Sequence, residues 1–449
     1  MANVIRLRKG LNIDLKGRAS EQVSKAVVSG EYALVPDGFV GVTPKVVVHE
    51  GDYVKTGDAL FVNKHYPDVK FSSPVSGQVV AVERGERRKV LCVKVKAEDE
   101  QHYQSFDTLD VKAAEGSQVI DLLLKAGLFG YINQLPYAVS TNPTVMPKAI
   151  FVSALRDMPL AADFEVELKG NEEAFQTGLT ALSRIAKTYL GIGAKQQAAA
   201  LVNAKNVEVN VFDGPCPAGN VGVQVNHINP VNKGEVVWTV NPSAVIFFGR
   251  LFMTGKVDLT RTVAVAGSMV KEPSYVSTLV GTPLSVILDS KLTTKEHVRI
   301  INGNPLTGVK SSLNDFLSPC ASEVTVIPEG DNVNEILGWI MPRFGQFSTS
   351  KSYFSWLCKG KEYDLDARIK GGERHMIMSG EYDKVLPMDI YAEYLIKAII
   401  TGDIDRQEQL GIYEVSPEDF AVAEFVDSSK LELQRIVRDG LNVLRKENA

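Results

Sequence analysis

Cysteine is scarce in this chain of 449 residues. Cys92, Cys216, Cys320 and Cys358 stand singly, with no CxxC pair among them. That excludes a disulfide framework and the local ligand spacing of a zinc or iron–sulfur site, and it predicts reduced thiols. Long apolar runs are also missing. A membrane-crossing helix needs about 20 mostly apolar residues. The best stretches, 244–248 and 394–400, are far shorter, and Lys397 interrupts the second. The first residues, Met1-Ala2-Asn3-Val4-Ile5-Arg6, carry charge with no apolar core behind it and do not read as a signal peptide. Positive charge is in deficit, with 49 Lys and Arg against 54 Asp and Glu. A net charge of −5 gives no counterion-release drive toward nucleic acid. It also argues against direct electrostatic binding to anionic lipid.

Compact catalytic motifs are lacking too. The six histidines, His49, His65, His102, His227, His297 and His375, form no HExxH or paired arrangement, and no Ser-His-Asp order can be read. Gly191-Ile192-Gly193-Ala194 begins like a dinucleotide loop. Gln196 holds its third glycine position, and the stretch reads as following a helix, which makes it a helix C-cap. Gly249…Gly255-Lys256 is one residue too long for a phosphate loop, and Val257 replaces its Ser or Thr.

What is present is enough apolar material for several cores. At 45% hydrophobic and 23% charged residues, a chain of this length predicts three or four domains. Within 30–97, short β-branched runs at 46–48, 59–62, 78–82 and 90–95 alternate with the turn signals Gly51-Asp52, Gly57-Asp58 and Ser76-Gly77. They predict a compact β unit. Runs at 149–153, 207–212, 236–240 and 244–248 read as buried strands. Between the first two lies a predicted helix over 171–190, with Phe175, Leu179, Leu182, Ile185 and Tyr189 on one face. Asn171 is placed as its cap and Gly191 as its stop. Strand–helix–strand alternation predicts an α/β unit. Strands are expected again at 262–266, 286–288, 298–301 and 324–327.

From 331 onward helices are expected. Tyr391, Tyr394, Leu395, Ala398 and Ile399 mark one face, stopped at Thr401-Gly402. Leu433, Ile436, Val437, Leu441 and Leu444 mark a last helix weakened by Gly440. The loop Asp213-Gly214-Pro215-Cys216-Pro217-Ala218-Gly219-Asn220 follows a predicted strand. Gly214, Pro215, Pro217 and Gly219 make its backbone rigid and unusual. Such a loop at a strand's C-terminal end is either a ligand site or a packing joint between domains.

Two resemblances follow. Pro36-Asp37-Gly38, Glu50-Gly51-Asp52-Tyr53-Val54, Gly57-Asp58-Ala59-Leu60 and Ser73-Pro74-Val75-Ser76-Gly77 resemble a lipoyl- or biotinyl-type barrel-sandwich hybrid. The hairpin tip reads Tyr66-Pro67-Asp68, so neither Lys64 nor Lys70 takes the place of a carrier lysine. Over the whole chain, an ordered set of motifs is similar to the A subunit of the Na+-translocating NADH:quinone oxidoreductase. The set is Lys9-Gly10-Leu11, 212–219, Arg299 and Gly303 within 298–308, Val385-Leu386-Pro387-Met388-Asp389, Gly402-Asp403 and Phe425-Val426. That family is related to the C subunit of the Rnf complex and to the flavin-bearing NADH subunit of respiratory complex I. Gly281-Thr282-Pro283 and Arg299-Ile300-Ile301-Asn302-Gly303 resemble their SLBB module.

The resemblance implies an α+β multidomain protein. Its parts are a barrel-sandwich hybrid (1–105), a Rossmann-like α/β domain (106–257), an SLBB β-grasp domain (258–330) and a helical C-terminal domain (331–449). It implies a peripheral subunit on the cytoplasmic face of the inner membrane, partnered by the other subunits of a six-subunit complex. That complex passes electrons from NADH through flavins and iron to ubiquinone and exports Na+. The relatives' glycine-rich flavin loop corresponds here to 127–137, where bulky residues replace most glycines. Cys358 alone stands where they carry cysteine clusters. No cofactor or metal is therefore expected on this chain, and NADH, flavins and iron–sulfur centres are expected on other subunits. Ubiquinone is the candidate ligand. Phe129, Tyr131 and Tyr137 could stack on its ring and Gln134 could donate to its carbonyl. The competing reading is that these aromatics fill the space of a lost flavin. Two other classes stay open: an independent soluble NADH or flavin enzyme, and a lipoyl-like carrier.

Overall fold

The computed structural model describes residues 3–448 apart from 27, 332–339, 342 and 359. Two small antiparallel sheets form the N-terminal β unit. One is ordered Glu31–Leu34, Val90–Ala97, Gly77–Arg84, Tyr53–Val54; the other Pro44–Val46, Ala59–Asn63, Lys70–Ser72. Val79, Val93 and Val95 alternate inward toward Phe61 and Phe71, whereas Ala59–Asn63 is buried along nearly its whole length. Phe61 stacks on Phe71 at 4.7 Å, and Phe39 reaches both Phe71 (4.4 Å) and Tyr131 (5.1 Å). The hybrid core therefore runs without a break into the α/β core. Tyr66 at the hairpin tip accepts a hydrogen bond from Asn142 (3.1 Å), so the tip packs against the rest of the chain.

The central sheet has seven strands. Asn3–Arg6, Glu208–Asp213, Thr188–Gly193, Ala149–Ser153 and Val237–Val240 run parallel, and Ile132–Leu135 and Val139–Ser140 continue it antiparallel. From Ala149–Ser153 the chain winds outward through two strands, then returns to place Val237–Val240 on the other side. The point of reversal is where doubly wound sheets leave a crevice at their strand ends. A six-stranded sheet follows, ordered Val309–Ser311, Val298–Asn302, Glu323–Pro328, Thr260–Ala266, Ser274–Leu279, Ser20–Lys25. The first two strands of the chain thus join the central and the six-stranded sheets. The unit expected over 1–105 keeps its own two sheets only from Glu31 onward.

Several local expectations are corrected. Residues 244–248 belong to the helix Pro242–Thr254, not to a strand. Pro242 occupies its first turn, Asn241 caps the Ser243 amide (3.0 Å), and Gly255 closes it at φ 65°. Being apolar all round, the run carried no period to separate helix from strand. The helix begun at Glu172 ends at Ile185, and Thr188–Gly193 is a fully buried strand. The Gly191–Gly193 stretch is therefore strand interior and not a C-cap. Asn171 does not cap the helix by its side chain. Its amide donates to the Glu167 carbonyl (2.8 Å) and accepts from Arg250 (2.7 Å). Residues 286–288 fall on the end of the short helix Leu284–Ile287 and its C-cap Leu288, with Leu284, Ile287 and Leu288 turned inward together.

The C-terminal region is helical only from Tyr382. Residues 340–381, where described, form an irregular lobe with one 3-10 turn at Phe354–Leu357. Glycine and serine there supply little helical propensity. The part of the expectation covering 332–339 lies outside the described residues. The helix Ala392–Thr401 buries Ala392, Leu395, Ile396 and Ala398, while Tyr391 and Tyr394 face outward. The expected face was rotated by about a residue. Gly440 is not a simple weakness in the helix Leu433–Glu447: a Cβ there would come within 2.8 Å of Ile399, so its absence lets the two helices touch. This bundle packs on Leu7, Phe212, Cys216, Ala218 and Val223.

Candidate functional site

A cavity of about 530 Å³ opens at the C-terminal ends of Ala149–Ser153 and Val237–Val240, the point of strand reversal. Four regions enclose it. The central sheet supplies Ser153, Leu155, Arg156, Asp157 and Val240. The helix beginning at Pro242 supplies Ser243 and Phe247. The six-stranded unit gives Asn304, Cys320 and Glu323, and the C-terminal bundle gives Glu418 and Arg438.

The polar floor is built around a buried ion pair. Arg156 donates both terminal nitrogens to Glu167 (3.2 Å each) and one to Ser243 Oγ (2.9 Å). Ser243 Oγ donates in turn to Glu167 (2.7 Å). Arg261, 2% exposed, donates to the Pro319 carbonyl (2.8 Å) and to Ser243 and Ser322 (3.3 Å each). Its guanidinium is pushed down by burial, with Glu167 opposing. Glu323 accepts from the Ala162 amide (3.0 Å), and burial holds its carboxyl above the usual range. Asp157 accepts from the Gly219 amide (2.9 Å), and burial raises it to about 6. Burial also raises Glu418 and Asp419, while Arg438 opposes the shift at Glu418. The wall thus sets carboxyls raised by burial beside guanidiniums held by Glu167 and by carbonyl and hydroxyl oxygens.

Two wall atoms are buried without a hydrogen-bond partner among the described residues, the Tyr131 hydroxyl and Asp157 Oδ1. Tyr131 is 5% exposed and held edge-on between Phe39 (5.1 Å) and Phe247 (5.8 Å). A buried hydroxyl left unpaired costs about 1–3 kcal/mol, which a ligand acceptor would relieve.

The structure separates the residues singled out from the sequence. Of Phe129, Tyr131, Gln134 and Tyr137, only Tyr131 lines the cavity. Phe129 lies in the core, edge-on to Trp238 at 5.6 Å. The Gln134 carbonyl accepts from Thr141 Oγ1 (3.1 Å) and the Asn142 amide (3.3 Å). Tyr137 adopts φ 81°, packs against the C-terminal bundle and accepts from Asn448 (3.3 Å). The rigid loop divides likewise. Gly214 packs on Leu7 and Pro215 on Gly10, and the Cys216 carbonyl accepts from the Leu11 amide (2.7 Å). Pro217 continues this joint, and of these four only Gly219 reaches the cavity, next to Asn220 at the loop's end. Arg156 and Asp157 were missed, although they follow a legible strand by three and four residues, where the strand-end rule directs attention. Glu323, Cys320 and Arg438 come from distant segments and had no local signal. Among the described residues no group of three His, Cys, Asp or Glu could hold a metal ion, and no helix is long and apolar enough to cross a membrane.

Architecture and cavity together define a multidomain α/β protein with a barrel-sandwich N-terminal unit and an SLBB-type unit. Three family models match in chain order: the NqrA N-terminal barrel-sandwich hybrid domain at residues 5–98, the NqrA second alpha/beta domain at 114–257, and the NQRA C-terminal domain at 262–312. The A subunit of the Na(+)-translocating NADH-quinone reductase of Neisseria meningitidis serogroup A is 33% identical over 99% of this chain and 100% of its own. That of Yersinia pestis bv. Antiqua is 34% identical over the same shares. The chain belongs to this family, the A subunits of the Na(+)-translocating NADH-quinone reductases. It is accordingly one component of an enzyme complex whose other subunits are its partners. A solved NAD+-reducing [NiFe]-hydrogenase chain aligns at 14% identity, covering 48% of this chain and 47% of its own with a TM-score of 0.36, too slight a likeness to bear on function.

Proposed function

We propose that this subunit serves the quinone end of the complex, with the cavity at the strand reversal receiving the ubiquinone headgroup. The unpartnered Tyr131 hydroxyl carries the reading. A quinone presents only acceptor oxygens, and Tyr131 is a buried donor without an acceptor. Leu155, Met158, Ala161, Val240 and Phe247 add apolar wall to the polar floor, a mixture that suits a flat ring bearing carbonyls. Phe129 and Gln134 support the wall from behind. The buried thiols Cys92, raised to about 12, and Cys216, also raised by burial, offer no ready thiolate. NADH, flavins and iron–sulfur centres belong to the other subunits, six in all with this one, and the chain sits on the cytoplasmic face. In this reading the seven-stranded sheet is the Rossmann-like unit and the six-stranded sheet the β-grasp. The packed hairpin tip at Tyr66 speaks against a swinging carrier arm.

The test is Tyr131→Phe in the assembled complex. Losing one hydrogen bond worth about 1 kcal/mol should raise the quinone KM roughly fivefold, with assembly intact. An unchanged KM rejects the site.

A further inference from the structure

The chain is acidic overall, yet residues 340–363 carry four basic residues, Arg343, Lys351, Lys359 and Lys361, against Glu362 alone. The same stretch is rich in aromatics. Its inner side is fixed. The Tyr363 amide donates to the Asp14 carbonyl (2.8 Å), and its carbonyl accepts from the Lys16 amide (2.9 Å). Phe347 rests against Tyr363 (5.2 Å) and Phe425 (5.6 Å), and Ser355 is buried. The outer side is open. Phe344 is 49% exposed, Phe354 53%, Trp356 47% and Leu357 60%. These four are contiguous, because Phe354, Trp356 and Leu357 share one 3-10 turn and the Phe344 and Phe354 rings lie 6.0 Å apart.

Cations are built into the same face. Lys351 Nζ lies 5.5 Å from the centre of the Trp356 ring, and Lys361 Nζ donates to the Phe344 carbonyl (2.7 Å). Arg343 stacks over Tyr353 at 5.7 Å. Exposed Trp, Phe and Leu rimmed by Lys and Arg is the composition of segments lying at a bilayer's headgroup level.

We propose that this lobe is a membrane-surface contact for anionic lipid. Phe354, Trp356 and Leu357 enter the headgroup–acyl boundary, and Lys351 and Lys361 meet lipid phosphates. The lobe's local charge thereby reverses what the net charge of the whole chain implied. The inference goes beyond the quinone reading and does not rest on it.

The purified full-length chain is floated with vesicles of phosphatidylcholine containing 30% phosphatidylglycerol, and with pure phosphatidylcholine vesicles. Expected is co-flotation with the anionic vesicles, about tenfold weaker with the neutral ones and weakened by salt. Trp356→Ala and the pair Lys351→Glu/Lys361→Glu should each lower anionic-vesicle binding at least about fivefold. Unchanged thermal melts would show that both variants fold. Absence of the chain from floated anionic vesicles overturns the proposal, as does equal flotation of both folded variants. Loss of co-purification with the partner subunits by variants of a chain that binds no vesicles would assign the patch to protein instead, and also overturns it.

Discussion

Two glycines decide how the helix at the cavity mouth is seated. The helices Glu172–Ile185 and Pro242–Thr254 cross with Gly178 against Val245 and Gly249 against Ala174. A Cβ on Gly178 would stand 2.1 Å from the Val245 carbonyl oxygen; one on Gly249 would stand 1.7 Å from the Ala174 carbonyl oxygen. Both obstacles are helical backbone, so no rotamer change relieves them. The helices must separate by on the order of 1 Å, and a gap of that size forfeits a quarter to a half of each contact's dispersion energy. Overpacking costs about 1–3 kcal/mol, whereas Gly→Ala inside a helix gains about 1 kcal/mol of propensity. A backbone oxygen at 2.1 Å puts the overpacking in the upper part of that range, so Gly178→Ala should destabilise by about 1–2 kcal/mol net, a loss of roughly 2–4 °C in Tm. The double variant with Gly249→Ala should cost less than the two singles together, because one separation relieves both clashes. Differential scanning calorimetry on the isolated chain reads this, with Gly30→Ala as a control at a position open to solvent. A Gly178→Ala chain as stable as the parent or more so would refute the close crossing.

Other outcomes are also expected. Arg156→Met removes the guanidinium paired with buried Glu167, leaving Arg261 beyond Ser243 as its remaining cation, and should destabilise by about 3 kcal/mol, measured by urea unfolding. Glu418 and Asp419, facing Arg438, Ser416 and Asn220, have proton affinities raised by burial. The folded chain then holds protons that the unfolded chain releases. Their contribution to stability is present at low pH and is lost as pH rises from the ordinary carboxylate range toward neutrality. Relative to Glu418→Gln, the parent's Tm should fall between pH 5 and pH 7.5; a gap that stays constant or narrows would show that Glu418 is not the cause. The purified chain should lack visible flavin absorbance and bound iron, checked by absorption spectroscopy and metal analysis, and stoichiometric flavin or iron would reverse that assignment.

Strands with β-branched runs were legible, because Ala149–Ser153 and Val298–Asn302 carry a pattern that propensity and burial both favour. The helix at Pro242 was not, since burial on all sides erased its period. Its cap, Asn241 followed by Pro242, was nonetheless present in the sequence. Tyr391 and Tyr394 misled the reading of the C-terminal bundle because tyrosine counts as apolar in a pattern while tolerating exposure. The strands Asn3–Arg6 and Ser20–Lys25 pair with strands more than 200 residues away in sequence, which no local rule predicts. For the site the limit was the same. Tyr131 was identified through the family resemblance, but the groups opposite it, Glu323 from the six-stranded unit and Arg438 from the last helix, meet it only once the domains have packed.

The quinone reading is tested most directly by filling the cavity. Ala161 lines it beside Met158, and Ala161→Trp would place an indole in the space proposed for the headgroup. Activity of the assembled complex is measured with a water-soluble quinone, and NADH oxidation by an artificial acceptor reports the upstream centres separately. Expected is a quinone KM raised at least about tenfold with the artificial-acceptor rate unchanged; an assembled variant with the parent's quinone KM would contradict it.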